Sequence, residues 1–364
     1  MKLVYQLALT QIKGVGNTLA KQLIDHCGSA EEVFRSSKKQ LMLIPGIGER
    51  VAGNILHKEV MNAIEKEVAF IDKHKIKVLF WSEPEYPVKL KQCIDAPVLL
   101  YFKGNANLQT KKVISIVGTR NASDYGKSIC EEFVASFRQE EVLVVSGLAH
   151  GIDSFAHEAC LKNQIATVGV LGHGLDRIYP AINRTLATDM LKNGGLLTEY
   201  PSGTNPDRQN FPSRNRIIAG LADVTVVVEA TIKGGALITA EIANAYNRDV
   251  CAFPGDIKRQ SSSGCNHLIK THRAHLISSA KDLAYLMNWD LTSEKKEEKQ
   301  LSLEIILNPE EKHVFDIVKE SGSIGIDALA YKTNLTQSKL AILLLELEMK
   351  GVLIALPGKM YRTP

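Results

Sequence analysis

No two of the six cysteines (Cys27, Cys93, Cys130, Cys160, Cys251 and Cys265) form a Cys-x-x-Cys pair, and their wide scatter argues against both a zinc site and a disulfide framework. They read as reduced thiols, mostly buried. No apolar run approaches the roughly 18 residues needed to span a bilayer, and the N-terminus lacks a charged-then-apolar leader. A cytoplasmic protein without a membrane partner is therefore expected. Charge of one sign is also scarce: 364 residues carry a net charge of +4, so any binding of a polyanion must rest on local patches and not on a global field. What the chain does have is apolar mass. At 45% hydrophobic residues it can bury a substantial core spread over two or three domains.

Three regions differ in pattern. Residues 9–16 and 41–48 each end in Gly-x-Gly (Gly14 and Gly16, then Gly46 and Gly48) and precede helical spacings through Leu19, Leu23 and Ile24 and through Val51, Ile55 and Leu56. The two units look like one motif used twice, resembling helix-hairpin-helix elements whose free N–H groups can receive a phosphate, or a glycine-tightened packing corner of the SAM-like kind. We assign residues 1–72 to this helical domain. Short extended segments rich in proline and aromatics follow from Lys77. Continuous apolar strands are then expected at 113–117, 142–145, 165–171, 195–198, 224–228 and 250–253, with helical stretches between most of them. That order predicts an α/β domain over 73–290, Rossmann-like, with a doubly wound, mostly parallel sheet. A charged linker at 291–308 precedes a winged-helix domain at 309–364, with helices near 310–319, 326–331 and 336–350 and a wing over 352–361.

In such a sheet, ligands bind beyond the carboxyl ends of the strands, so each strand-to-helix turn is a candidate site. The first turn has no Gly-x-Gly-x-x-Gly, and a dinucleotide fingerprint is absent. It offers Gly118 for close backbone approach, hydroxyls at Thr119 and Ser123, and a permanent cation at Arg120. In the second turn, His150, Asp153 and His157 suggest a metal at first sight, but no further ligand accompanies them, and capping of a helix by Asp153 is favoured. Asp176 and Asn183 in the third are turn stabilisers. The fourth carries Arg208, Phe211, Arg214, Asn215 and Arg216, forked donors for phosphate oxygens around one flat apolar ring of the kind on which an unpaired base stacks. A structural ion-pair knot is the plainer alternative for that segment alone. The fifth places Lys233, Gly234 and Gly235 at a helix N-terminus, a phosphate cradle. Glu199 and Glu229 lie near this rim without a partner that would make them an acid–base pair. Glu229 reads as a rim charge paired with an arginine.

Ile116 to Arg120, Ser146 to Ala149 with Gly151 to Asp153, Leu171 to Asp176 through Tyr179 and Pro180, Phe211 to Gly220, and Gly235 to Ala240 together resemble, in order, the motifs of the DprA/Smf family. The resemblance covers roughly residues 80–280, with Ala236 standing where the family often has Ser and His150 where Arg is common. It implies a protein that binds single-stranded DNA, dimerises through its Rossmann-like domain, and loads the RecA recombinase past single-strand-binding protein onto strands entering by natural transformation. No cofactor and no enzymatic activity are implied. The strand-binding residues carried over are Arg120, Arg208, Phe211, Arg214, Arg216 and Lys233. Ile269 and Leu276, in an apolar segment at the end of the sheet, are the expected dimer contacts.

Two rival functions remain at this level. A nucleotide-binding or nucleotide-hydrolysing Rossmann-like protein would be favoured by a Pro-Gly-Gly-x-Gly-Thr-x-x-Glu motif, which this sequence lacks. A transcription factor would need a basic recognition helix, yet 336–350 offers only Lys339 and Lys350.

Overall fold

The computed structural model describes residues 2–57, 59–291 and 307–363, with side chains left out of account at 59–63. Most of the charged stretch expected as a linker lies outside the described residues. The chain divides into two compact units, 1–293 and 294–364.

The first unit is built on a nine-stranded sheet: β1 (Lys77–Phe80), β2 (Leu99–Gly104), β3 (Lys112–Val117), β4 (Val142–Ser146), β5 (Ala166–Val170), β6 (Gly194–Thr198), β7 (Val224–Val227), β8 (Asp249–Ala252) and β9 (His275–Leu276). Their spatial order is β1-β2-β6-β5-β4-β3-β7-β8-β9. The run from β6 to β9 is parallel throughout, while β1 and β2 add two antiparallel strands at one edge. The extended segments expected after Lys77 thus belong to the main sheet.

Alternation along each strand feeds two separate cores. Val113 and Val117 of β3 join the helices Asn210–Leu221, Gly235–Ala245 and Ser263–Lys270 on one face. Ile114 and Ile116 join the helices Asp124–Ala135 and Ile152–Lys162 on the other. Strands apolar on both sides require helices on both sides, which is the doubly wound arrangement read from the sequence. The strand order reverses at β3: the chain steps outward through β4, β5 and β6, then returns to pair β7 with β3 in register Ile116↔Val226. The crevice beyond the carboxyl ends of β3 and β7 is the switch point at which ligands of such sheets bind.

Helices from Lys2 to His74 pack a further core around Leu7, Leu23, Ile55 and Ile64 that continues onto Phe80, Leu99 and Tyr101 of the sheet. The two Gly-x-Gly turns open the helices Asn17–Cys27 and Glu49–Leu56, each with a glycine N-cap that makes no side-chain hydrogen bond. Asn54 ties them by donating its amide to the carbonyl of Lys13 at 2.8 Å. The first turn is also used for docking. Asn17 accepts the Val98 N–H at 3.0 Å, and Lys21 donates to the Ile94 carbonyl at 3.2 Å.

The second unit has helices Pro309–Ser321, Ile326–Thr333 and Gln337–Met349 with a small sheet of β10 (Ser323–Gly325), β11 (Ile354–Leu356) and β12 (Met360–Arg362). Asn308 and Glu311 close a capping box at its start. Leu340, Leu343, Leu344 and Leu347 form the buried stripe of the third helix against Val314, Val318 and Leu329. Helix, turn, helix and wing match the expected winged helix.

Candidate nucleic-acid interface

Beyond β3 and β7 lies a cavity of about 590 Å³ whose wall includes Gly118, Thr119, Arg120, Arg208, Phe211, Arg214, Asn215, Gly234 and Gly235. Residues from three turns, far apart in sequence, therefore meet where the topology places a ligand site.

The β3 turn is held rigidly. Thr119 donates its N–H to the Glu229 carbonyl at 2.7 Å, and the Ile152 N–H returns to the Thr119 carbonyl at 3.2 Å. A Cβ at Gly118 would sit 2.4 Å from Ile152 Cγ1, so the close approach this glycine allows is to the next helix. Arg120 projects exposed from the end of this turn, its guanidinium 5.8 Å from the centre of the Phe211 ring.

The basic segment is helical: Asn210–Leu221 forms one helix, and its arginines separate by helical geometry. Arg208 precedes the helix and is exposed, whereas Arg214 is only 5% exposed. Arg214 lines the cavity and donates Nη1 to the Val170 carbonyl at 3.0 Å, while its buried Nε has no partner. A Cβ at Gly147 would fall 1.6 Å from Arg214 Nη1, so the guanidinium occupies the space over that glycine. Its counter-charge is Asp153, which does not cap its helix. It accepts instead from the N–H groups of Gly147 and Ala149 at 3.2 and 3.3 Å. Burial pushes the Asp153 carboxyl above its ordinary value, opposed by Arg214.

Arg216 is the departure from the expected set. It lies off the cavity wall, largely buried, bonded to the Glu199 carboxylate and donating to the Asp95 carbonyl at 2.6 Å. Two residues along a helix are about 200° apart, so Arg214 and Arg216 could not share a face once the segment became helical. The structural ion-pair alternative holds for Arg216. Glu229 is likewise not paired with an arginine: it is buried and accepts from the N–H and hydroxyl of Ser123 at 2.9 and 2.7 Å. Ser123 in turn caps the helix Asp124–Ala135.

The helix Gly235–Ala245 opens on Gly234 without a side-chain cap; the Gly234 and Leu237 N–H groups are taken by the Thr231 and Gly234 carbonyls at 2.9 and 3.1 Å, and those of Gly235 and Ala236 are left for another acceptor beside the cavity. Lys233 is exposed on the neighbouring wall, with Gly234 common to both. Arg120, Arg208 and Lys233 have no carboxylate partner among the described residues. The arrangement offers exposed cations, one buried cation with a spare donor and a free helix N-terminus, a set suited to phosphate oxygens.

The second-turn histidines do other work. His157 is fully buried against the Thr167 hydroxyl at 2.6 Å, and burial pushes its imidazole down to about 3. Among the described residues, no group of three or more His, Cys, Asp or Glu is placed to hold a metal ion. No helix among them is long and apolar enough to cross a membrane. All six cysteines are free, five of them buried. At the far edge, β9 exposes Leu276 at 53%, while Ile269 is partly buried against the core. Sequence reading missed Tyr179, which lines the cavity and touches Phe211. Its signals were an aromatic in the turn after β5 and a place in the motif running from Leu171 to Pro180.

The family model described as DNA recombination-mediator protein A matches residues 77–288. A SAM-like helix-hairpin-helix tandem matches 7–58, and a DprA winged helix domain matches 299–359. Protein Smf of Synechocystis is 36% identical over 305 residues, 82% of this chain and 76% of its own length. The DNA processing protein DprA of Streptococcus pneumoniae is 42% identical over 198 residues, 54% of this chain and 70% of its own. The solved structure of that S. pneumoniae protein superposes with a TM-score of 0.66 at 33% identity, covering 79% of this chain and 97% of the other. DNA processing protein A of Helicobacter pylori, whose structure was described for its single-stranded DNA binding mode, gives 0.54 at 26% identity over 59% of this chain and 98% of the other.

Proposed function

The chain belongs to the DprA/Smf family, and on that premise we propose that it is a non-catalytic mediator that binds single-stranded DNA and loads RecA recombinase onto it during natural transformation. The observation that carries this reading is the convergence of Arg120, Arg208, Arg214 and the uncapped N-terminus of Gly235–Ala245 on one cavity. Arg120, Arg208, Lys233, Asn215 and the backbone at Gly118, Gly234 and Gly235 hold phosphates, with Arg214 supplying a donor from below and Phe211 an apolar surface beside them. Displacement of single-strand-binding protein and work in the cytoplasm belong to the same reading. A duplex-reading role for the winged helix has little support. Lys339 of its third helix and Lys350 at the C-cap of that helix are engaged with Glu310 and Glu311.

Titration against single-stranded DNA, duplex DNA and mononucleotides at several salt concentrations tests the proposal. Single strands should bind most tightly, with log affinity falling linearly as log salt rises. A preference for mononucleotides would favour the nucleotide-binding alternative.

We further propose that the exposed β9 edge forms a two-fold contact between copies, so that one dimer offers two rims to a long strand. Leu276→Glu is expected to give a folded monomer by light scattering, because it places a charge in the contact and leaves the core alone. Ile269→Glu should lower stability as well, since that side chain also packs inward. A folded Leu276→Glu protein that remains dimeric would rule this interface out.

A further inference from the structure

We propose that Tyr179 is the surface on which an unpaired base of the bound strand stacks, with Phe211 as its support; this rests on the single-strand reading above. Phe211 is the aromatic that composition alone singles out, yet its ring is already engaged. The Arg120 guanidinium lies 5.8 Å from its centre. The Tyr179 ring lies at the same centroid distance of 5.8 Å, tilted by 35°. The backbone at Gly172 approaches so closely that a Cβ there would be 3.2 Å from Phe211 Cδ1. A base reaching Phe211 would have to displace one of these neighbours. Tyr179 requires no displacement: it lines the same cavity, is 48% exposed, and its hydroxyl makes no hydrogen bond among the described residues. Arg120, Phe211 and Tyr179 all line this cavity, and Phe211 is the neighbour of the other two.

The charges lining two adjoining cavities bear on where the phosphates lie. A second cavity of about 620 Å³ shares Arg120 with the first and is lined by Ile182, three residues beyond Tyr179, together with Glu158 and Asp189. Two carboxylates repel a phosphate but accept hydrogen bonds from the amino groups of a base. Tyr179 lines the first cavity together with Arg120 and Arg208, so a base stacked on it lies beside the cations that take its phosphates, and the carboxylates of the second cavity keep the phosphate path to the first. Stacking on an aromatic face tolerates any base, since every base has a π-face.

The test uses the full chain and an oligothymidine carrying one 5-iodouracil, irradiated and then mapped by mass spectrometry. The covalent link is expected at Tyr179. Tyr179→Ala should weaken binding at least about fivefold, the low end of what one stacked base contributes, while Tyr179→Phe stays within about twofold of the parent. On an abasic strand of the same length, Tyr179→Ala and the parent should bind alike. Crosslinks only at other residues, unchanged affinity in Tyr179→Ala, or an equal loss on the abasic strand would each overturn the assignment while leaving single-strand binding intact. Failure of the parent protein to bind any single strand would instead remove the reading on which the assignment stands. The crosslink is read on the unsubstituted protein, so an unfolded variant does not obscure the result.

Discussion

Arg120→Ala is expected to weaken single-strand binding by about tenfold or more, because a hydrogen bond to a charged group contributes about 1.5–3 kcal/mol. The slope of log affinity against log salt should shrink by about 0.7, the value for one neutralised phosphate on a single strand. The geometry separates this effect from stability. Arg120 is exposed, has no carboxylate partner among the described residues, and lies over the Phe211 ring. Its removal leaves no buried charge unpaired. Arg208→Ala and Lys233→Ala should act in the same way, each at its own phosphate, without altering thermal unfolding. An unchanged slope in a folded Arg120→Ala protein would show that the phosphates run elsewhere.

Arg214→Met should instead be felt first in folding, with a loss of about 3–5 kcal/mol, the range for removing one partner from a buried charge pair. Arg214 spans the space above Gly147, bonds to the Val170 carbonyl at 3.0 Å, and is the counter-charge for buried Asp153. Methionine fills part of the volume but leaves the buried Asp153 carboxyl without its counter-charge, held by the Gly147 and Ala149 N–H groups and the Ser146 side chain alone. Urea unfolding measures the loss. If Arg214→Met keeps its midpoint and slope yet loses affinity for single strands, the side chain serves the ligand and not the fold. Arg216→Met provides the comparison. It also breaks a largely buried pair, with Glu199, but away from the cavity, so any loss of binding should follow its loss of stability.

Strand positions were legible because each core strand is a short continuous apolar run with helices on both sides. The expected 113–117 and 224–228 became β3 and β7 to within a residue. Gly118, Arg120, Gly234 and Gly235 could be placed on one rim because topology alone puts the turns after β3 and β7 side by side. The winged helix was legible for a similar reason: Leu340, Leu343, Leu344 and Leu347 repeat at helical spacing.

The basic segment was where linear reading stopped. Arg208, Arg214 and Arg216 look equivalent along the chain, and nothing local says whether such a segment is loop or helix. As a helix beginning at Asn210, it leaves Arg208 in solvent, puts Arg214 under the cavity and turns Arg216 to Glu199 and Asp95. Glu229 met the same limit, since its partner Ser123 lies 106 residues away. Tyr179 shows the converse: one aromatic in a turn has no periodicity to mark it, and only packing against Phe211 makes it part of a site. Hydrophobic period and turn composition are local properties and were enough for the elements, their order along the chain and the sheet edge onto which the turns after β3 and β7 open. Which cations are free to meet a ligand there depends on side-chain direction and on counter-charges supplied by distant segments, and these exist only once the tertiary structure has formed.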